Sequence, residues 1–494
     1  MKNAVQLIVY PDSIGGDMKN LKNVLETHLE NIFLGLHILP FYPSAGDRGF
    51  SPLTYFEVDP AFGDWDDIKE LGAKYDIVAD MMVNHISGES AYFKDYLERG
   101  NDSPYSDFFI TMDKIWDDGS IRQEDIDKMF LRRVTPYSTY PSKAFGEKTL
   151  WTTFGRNTPS EQVDLDIHAP PVQKLFADIF EHLAKHNINI VRLDAIGYVI
   201  KKAGTDCFFV EPQIWAFLEQ MAACAKKHGI TLLPEVHAHH SIQRKLAEAG
   251  FWIYDFILPY TITEALFTKN SAALVAYLKN RPHNQFTMLD CHDGLPVKPD
   301  LDDLVTVDDA QKLIHICLSR GANLSKIVSK KHQGEGGFDT HQIRGTIYSL
   351  LGADDDAYIV ARALQLFTPG IPQIYYVGLL AGENDNARVV ETGEGREINR
   401  HNFTRTEIER ALEKNIVKRL LRLIRFRNEF DVFDGSFEVE NPTKSTIHLC
   451  WQKENRKATL DVDLRANSAS INLAAPTAQL GKFLRDGEKE RIIL

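Results

Sequence analysis

INIVRLDA, residues 188–195, is a short run of mainly apolar and β-branched residues with an acid, Asp194, as its last residue but one. The apolar positions are nearly continuous rather than alternating, which indicates a strand covered on both faces, as in a parallel sheet packed between helices. Arg192 and Asp194 stand two positions apart and therefore share one face of the strand. We predict a central strand of a parallel sheet, with charged side chains at its carboxyl end.

Seven other runs have the same character, and segments with helical periodicity, such as 172–186 and 213–229, lie between them. These runs are VQLIVY (5–10), GLHILPF (35–41), YDIVADMMV (75–83), TLLPEVH (231–237), WIYDFILPY (252–260), QFTMLDCHD (285–293) and IPQIYYVG (371–378). Eight buried strands that alternate with helices predict an α/β fold, specifically a (β/α)8 TIM barrel.

Two gaps between strands are longer than an ordinary crossover, and alternating segments at the end of the chain indicate a small all-β domain. The predicted domains are a catalytic barrel formed by 1–85, 167–294 and 346–430, an insertion after the third strand (86–166), an insertion after the seventh strand (295–345) and a C-terminal β domain (431–494).

The composition excludes several classes of protein. The chain has 494 residues, 44% hydrophobic residues and a formal net charge of -13, which argues against a nucleic-acid surface or a polybasic membrane anchor. The basic helix predicted at 415–430 is interpreted as a solvated face. Five scattered cysteines without a metal-ligand spacing, a short N-terminal apolar run and no apolar span predict a cytoplasmic protein without a membrane partner.

Charged side chains follow four of the predicted strands, at the end of a barrel where active sites are built. The endings are Asn84-His85, Arg192 with Asp194, Glu235 with His237, and His292-Asp293. A single acid such as Asp194 could cap the following helix. Four endings of this kind in order predict a catalytic site.

In this order, DMMVNH, VRLDAIGY, PEVH and LDCHDG resemble the signatures of the α-amylase clan of glycoside hydrolases, and QVDLD (162–166) resembles its additional region. The resemblance implies a retaining mechanism, which uses two carboxyl groups about 5–5.5 Å apart. It implies that Asp194 is the nucleophile, Glu235 the general acid/base and Asp293 the carboxylate that stabilises the transition state.

The same resemblance implies roles for the basic residues of the motifs. Arg192 would keep Asp194 ionised by charge pairing. His85, His237 and His292 would bind sugar hydroxyls; outside this motif context they would be ordinary core histidines.

Further stretches are similar to the sucrose phosphorylase group, over essentially the whole chain. They are 46–68, 208–212, 371–386 and 395–403. That group passes a glucosyl unit to phosphate and forms α-glucose 1-phosphate. Asp47 and Arg396 match the pair that closes over the far end of the glucosyl ring; without the motif they would be a surface salt bridge.

The acceptor side needs cationic donors, since phosphate is bound by charge-assisted hydrogen bonds. Arg132 matches an arginine of the phosphate and acceptor site in that group, although the adjacent Arg133 could take its place. Phe154 matches an aromatic wall of the acceptor site and could equally be a core residue.

The stretch GGFDTHQIRG (336–345) has no helix or strand periodicity, and we expect a mobile loop in the wall of the acceptor site. His341 stands where plain sucrose phosphorylases have a tyrosine, and this departure resembles the sucrose 6-phosphate phosphorylases. Asp339 and Gln342 match the plain pattern, and we expect Asp339 to bind the acceptor and Gln342 to bind the substrate. A histidine can donate a hydrogen bond to a second phosphate, where it would act with Arg132. Arg344 could reinforce this site, but we expect its side chain to be solvent-exposed.

The predicted function is phosphorolysis of sucrose 6-phosphate, or of sucrose, by double displacement. The alternatives are a plain sucrose phosphorylase, a related phosphorylase with a glycerol or glycerate acceptor, a hydrolase or transglucosidase of the clan, and a non-catalytic binding domain. We expect no metal and no cofactor; the expected partners are the sugar and inorganic phosphate. The protein is expected to be a monomer or a homodimer.

Overall fold

Eight parallel strands form the centre of the protein in a computed structural model that describes residues 1–475 and 491–494. The strands are β1 (Gln6–Val9), β2 (Gly35–Ile38), β3 (Asp76–Met82), β4 (Ile190–Asp194), β5 (Thr231–Pro234), β6 (Ile253–Asp255), β7 (Gln285–Thr287) and β8 (Ile371–Tyr375). Their order in the sheet is β6-β7-β8-β1-β2-β3-β4-β5, and the two outer strands face each other at the seam. The predicted TIM barrel is confirmed, and each strand lies within one of the eight predicted runs.

Helices cover the outside of the barrel. The α-helices are α1 (Met18–Thr27), α2 (Trp65–Gly72), α3 (Ala91–Arg99), α4 (Gln123–Ile126), α5 (Pro170–Lys185), α6 (Gln213–Lys227), α7 (His240–Glu248), α8 (Leu258–Thr268), α9 (Ala272–Asn280), α10 (Val307–Ser319), α11 (Ile347–Leu350), α12 (Asp355–Phe367), α13 (Tyr376–Leu379), α14 (Asn386–Thr392), α15 (Arg405–Glu413) and α16 (Asn415–Glu429). In α5, the residues Val172, Phe176, Ile179 and Leu183 follow the helical period and are buried.

The segment after β3 contains two pairs of antiparallel strands. Tyr137–Ser142 pairs with Gly146–Trp151 as a hairpin. His85–Ser87 pairs with Gln162–Asp164, and His85 lies opposite Asp164. The second pair draws the insertion back over the carboxyl end of β3 and fixes His85 there.

The segment after β7 forms a three-stranded antiparallel sheet. Thr340–Arg344 is its central strand, paired with Leu295–Pro296 on one side and Asn323–Lys326 on the other. Our expectation of a loop without regular structure was therefore wrong for this half of the stretch 336–345. The strand THQIR has a single apolar residue, Ile343, and its polar residues His341 and Gln342 are buried by the sheet, so the usual alternation is absent.

A five-stranded antiparallel sheet ends the chain, in agreement with the predicted small β domain. Its strands are β9 (Ser436–Glu440), β10 (Thr446–Lys453), β11 (Arg456–Asp463), β12 (Ser468–Ala474) and β13 (Arg491–Ile493). Trp451 joins it to the barrel by donating from Nε1 to the Phe367 carbonyl over 2.7 Å. Residues 476–490 of the predicted interval 431–494 lie outside the described part, and the domain boundaries remain predictions.

Across the two described ranges, none of the helices combines the length and the apolar character that crossing a membrane requires.

Candidate active site

The cavity at the carboxyl ends of the barrel strands is walled by both insertions and by the loop after β8. Side chains from β4, β5 and β7 form its floor, and the segments around Phe154 and His341 form two of its walls. Carboxylates and arginines line it together, which makes it a polar site able to hold a sugar and an anion.

Asp194 ends β4 at the floor of the cavity, and Arg192 lies beneath it. Nη1 of Arg192 is 2.7 Å from Oδ1 of Asp194, and the same guanidinium also pairs with Asp80 on the adjacent strand β3. Burial raises the pKa of Asp194 to about 7; Arg192 opposes this rise and the charge of Glu235 adds to it. The oxygen Oδ2 of Asp194 is left for a ligand.

Glu235 follows β5 and is oriented by the backbone of β4. Its Oε2 accepts a hydrogen bond from the Ala195 amide at 3.2 Å, and its Oε1 is 3.8 Å from Nη2 of Arg192. Ala195 has a positive φ of 56°, the turn by which its amide reaches Glu235. Arg192 therefore contacts both carboxyl groups on which the sequence analysis centred.

His237 connects Glu235 to a buried acid that the sequence analysis did not find. Its Nδ1 is 3.3 Å from Oδ1 of Asp300, and its Nε2 is 3.2 Å from Oε1 of Glu235. The ring stacks on Phe256 with a centroid distance of 3.9 Å. Burial alone would lower the pKa of His237, but Asp300 reverses the effect and raises it above its usual value.

Asp293, Arg396 and Asp47 form a chain of charges at another side of the cavity. Arg396 reaches Asp293 at 3.3 Å and Asp47 at 3.2 Å, and Arg156 and Arg400 also contact Asp47. Burial acts to raise the pKa of Asp47, but the three arginines outweigh it and lower the pKa to about 2. Burial also acts to raise the pKa of Asp293, but Arg396 outweighs it, and this pKa lies well below its usual range. Both acids are therefore ionised near neutral pH.

His85 and His292 are buried and face the cavity. Nε2 of His85 bonds the Phe50 carbonyl at 3.0 Å, and His292 stacks on the Phe50 ring at 4.9 Å. Burial lowers the pKa of both rings, for His292 to about 3. Neutral rings of this kind can exchange hydrogen bonds with sugar hydroxyls.

Arg132 and His341 contact each other in one wall of the cavity. Nη1 of Arg132 is 2.8 Å from Nε2 of His341, and Nδ1 of His341 is 2.6 Å from the Lys298 carbonyl. Since an arginine can only donate and a carbonyl can only accept, His341 must be neutral with its proton on Nδ1. Burial lowers the pKa of His341 well below its usual value, and Arg132 acts in the same direction.

The choice between Arg132 and Arg133 is resolved by their contacts. Arg132 lines the cavity and lies 6.0 Å from the Phe154 ring centroid. Arg133 turns away and donates to the backbone carbonyls of Phe154 and Asn157. Phe154 lines the cavity between His85 and Arg132, so it is not an ordinary core residue.

The remaining predicted residues divide between the cavity and its outside. Gln342 is buried and lines the cavity, whereas Asp339 does not line it and pairs with Lys326 at 3.0 Å. Our expectation for Arg344 was wrong: its side chain is partly buried and lines the cavity. The central strand Thr340–Arg344 carries it inward, which the sequence pattern did not indicate.

Two groups of side chains in the described residues converge closely enough to hold a metal ion. Glu235, His237 and Asp293 form one group, and His239, His240 and Asp303 form the other near the surface. The first group is already paired with Arg192, Asp300 and Arg396, which satisfies its charge. A metal-free site stays our prediction.

Sequence reasoning missed several partners that hold the site together. Asp80 pairs with Arg192 and His37, Asp300 with His237, and Arg156 and Arg400 with Asp47. Asp80 offered a signal, because an acid inside the apolar run 75–83 requires a buried partner. Asp300 and Arg156 lie in irregular segments, where no periodicity indicates direction.

Comparisons with known proteins agree with the fold. The family model described as alpha amylase, catalytic domain, matches residues 12–278. Sucrose 6(F)-phosphate phosphorylase of Thermoanaerobacterium thermosaccharolyticum is 53% identical over 485 residues, covering 98% of this chain and 99% of that one. Sucrose phosphorylase of Streptococcus mutans serotype c is 42% identical over 457 residues, covering 92% and 93%.

A solved structure is similar along the full length. The crystal structure of sucrose 6F-phosphate phosphorylase from Thermoanaerobacter thermosaccharolyticum superposes with a TM-score of 0.96 at 52% identity and covers 100% of this chain and 99% of that one. The similarity therefore includes both insertions and the C-terminal sheet.

Proposed function

The chain belongs to the sucrose phosphorylase family of α-amylase-type enzymes, and on that premise we propose that it is a hexosyltransferase that phosphorolyses sucrose 6-phosphate. The products are α-glucose 1-phosphate and fructose 6-phosphate, and the anomeric configuration is retained through a covalent glucosyl-enzyme. The substrate follows the name of the relative that is 53% identical.

In the first half-reaction, Oδ2 of Asp194 attacks the anomeric carbon while Glu235 gives its proton to the departing fructosyl oxygen. The assignment of Oδ2 rests on the engagement of Oδ1 by Arg192 at 2.7 Å. In the second half-reaction, a phosphate oxygen attacks the same carbon, the bond to Asp194 breaks, and Glu235 takes up the phosphate proton.

Arg192 favours the ionised form of Asp194 against the burial that raises the pKa of this carboxyl group, which supports Asp194 as the nucleophile. Asp194 must be ionised and Glu235 protonated at the start of the reaction, so the pair holds one proton. His237, with Nδ1 directed at Asp300, presents Nε2 to Oε1 of Glu235 and can receive or return that proton. Asp293, ionised through Arg396, stabilises positive charge as it develops at the anomeric carbon.

The glucosyl ring is bound on the side of Asp47 and Arg396, with His85, His292 and Phe50 around it. The carboxylate and guanidinium at 3.2 Å offer an acceptor and donors to the hydroxyl groups at the far end of the ring. The fructosyl group lies on the opposite side of the cavity, where Glu235 can reach the leaving oxygen.

The observation that carries the choice of sucrose 6-phosphate is the Arg132–His341 contact. A cation fixed by a neutral histidine is available to an anionic group, because no carboxylate of the described residues pairs with Arg132. In a chain with a net charge of -13, such a cation gives the local positive potential that a sugar phosphate needs.

Unphosphorylated sucrose is the second candidate substrate. It is favoured by the sucrose phosphorylase that is 42% identical over 92% of this chain. In that case Arg132 would serve inorganic phosphate alone.

We further propose a cytoplasmic enzyme that works as a monomer or a homodimer, without a cofactor. All five cysteines are free thiols, as expected in a reducing compartment. The predicted domain intervals remain part of the proposal.

Asp194→Ala tests the mechanism. The variant should lose phosphorolysis and the reverse reaction by at least about 10⁴-fold, since the covalent intermediate cannot form. Arg133→Gln, which changes a charge outside the cavity, is the control. Turnover like that of the wild type in Asp194→Ala, or a β-configured product from the wild type, would refute the assignment.

A further inference from the structure

Arg344 is a cation in the cavity wall that has no ion-pair partner among the described residues. Its side chain is partly buried and lines the cavity, and its Nε atom is buried without a hydrogen bond. Among the ion pairs and side-chain hydrogen bonds of the described residues, none involves its guanidinium. Burial of an unpaired charge is costly, so such residues are rare unless a ligand completes them.

The charges around Arg344 increase the free-energy cost of burying its unpaired guanidinium. Burial lowers the pKa of Arg344 to about 10, and the charges of Arg396, Arg400 and Arg132 act in the same direction, opposed by Asp293. The nearby acids are already engaged, since Asp293 pairs with Arg396 and Glu394 pairs with Arg156 at 2.6 Å. Arg344 therefore has no carboxylate partner among the described residues.

The absence of a side chain at Gly395 leaves space for the guanidinium of Arg344. A Cβ atom at Gly395 would lie 2.7 Å from Nη1 of Arg344 and 2.9 Å from Oδ1 of Asn323. The Gly395 carbonyl is held by Asn323 Nδ2 at 3.0 Å. The guanidinium thus packs closely against a fixed glycine, and the strand that carries Arg344 is paired on both sides.

We propose that Arg344, together with Arg132, binds a phosphoryl dianion in the cavity. The inference rests on the proposed function and adds a second guanidinium to it. A dianion can accept hydrogen bonds from both arginines and neutralise both charges. The dianion can come from inorganic phosphate or from the phosphate of fructose 6-phosphate, which have the same chemistry.

Glucosyl transfer from α-D-glucosyl fluoride, a donor without phosphate, separates these sources. The acceptors are inorganic phosphate, fructose 6-phosphate and fructose. The variants are Arg344→Gln, which removes the charge, Arg344→Lys, which keeps it, and Lys331→Gln, which removes an exposed charge from the neighbouring segment.

In Arg344→Gln we expect the KM for inorganic phosphate, for fructose 6-phosphate or for both to rise about 10- to 100-fold more than the KM for fructose. Arg344→Lys should recover part of the loss, and Lys331→Gln should behave like the wild type. A rise confined to inorganic phosphate or to fructose 6-phosphate assigns the site to that ligand, and a rise for both assigns it to both. Equal changes for all three acceptors, or none, would overturn the inference.

Thermal unfolding measured with and without inorganic phosphate or fructose 6-phosphate tests binding without catalysis. The ligand should raise the melting temperature of the wild type and raise it much less in Arg344→Gln. If the wild type transfers glucose to neither phosphorylated acceptor, the proposed function fails, while this binding difference still supports the anion site. Equal stabilisation of both proteins would contradict it.

Discussion

Arg132 donates a hydrogen bond from Nη1 to Nε2 of His341 across 2.8 Å. The other ring nitrogen of His341 donates to the Lys298 carbonyl at 2.6 Å, so the ring is neutral and both of its nitrogens are engaged. His341 is therefore uncharged, and it orients the positive charge of Arg132.

His341→Tyr should reduce the preference for sucrose 6-phosphate over sucrose, because a phenol cannot accept from Arg132 and donate to Lys298 with the same geometry. We expect the ratio of the two kcat/KM values to fall about tenfold or more, the effect of one charge-assisted hydrogen bond. Initial rates with each substrate and inorganic phosphate measure the ratio.

Arg133→Gln is the matched control for this prediction. It removes the adjacent arginine, which donates to the Thr152 hydroxyl and to two backbone carbonyls outside the cavity, and it should leave the ratio unchanged. A ratio that shifts equally in both variants would refute a specific role for His341.

The pH dependence of glucosyl transfer should report the Asp194–Glu235 pair. Asp194 must be ionised to attack, and burial raises its pKa to about 7, so kcat/KM should fall as the pH falls below about 7. α-D-Glucosyl fluoride is the suitable donor, because a phosphate monoester itself titrates near pH 6.

With the fluoride donor Glu235 need not be protonated, and its negative charge contributes to the high pKa of Asp194, so Glu235→Gln should move this acid limb to lower pH. The fluoride leaving group needs little protonation, so the variant remains measurable. An acid limb at the wild-type position would show that Glu235 does not act on Asp194.

Asp47→Asn should lower the free energy of unfolding, since it leaves Arg396, Arg156 and Arg400 without a shared carboxylate. The pKa of Asp47 is depressed to about 2, so its stabilisation is present above about pH 4 and is lost as the pH falls toward 2. The expected loss at pH 7 is about 2 kcal/mol, measured by denaturant unfolding.

The difference between the wild type and Asp47→Asn should shrink between pH 4 and pH 2. Asp118→Asn, which alters an exposed pair with Arg122, should leave stability near that of the wild type. A difference that does not depend on pH would exclude the charge of Asp47 as its source.

The fold could be predicted from the sequence because buried parallel strands are continuous apolar runs. INIVRLDA contains β4, and each of the other seven runs contains one barrel strand. The positions at the carboxyl ends of these strands follow from the barrel, which is why Asp194, Glu235 and Asp293 come together at one cavity.

The partners of those residues could not be predicted in the same way. Asp300 and Arg156 lie in irregular segments, where direction depends on tertiary packing. His341 and Arg344 lie on a strand that the sequence pattern does not indicate. Its residues are mainly polar, because the sheet packs them against other polar groups. The neutral state of His341 depends on Arg132, 209 positions away in the chain.

The most direct test of the account compares kcat/KM of the purified wild-type protein for sucrose 6-phosphate and for sucrose, each with inorganic phosphate, with α-glucose 1-phosphate as the measured product. The account predicts that both substrates give α-glucose 1-phosphate and that kcat/KM is at least about tenfold higher for sucrose 6-phosphate than for sucrose. Equal or greater efficiency on sucrose would contradict the assigned substrate, and release of free glucose in place of α-glucose 1-phosphate would contradict the phosphorylase itself.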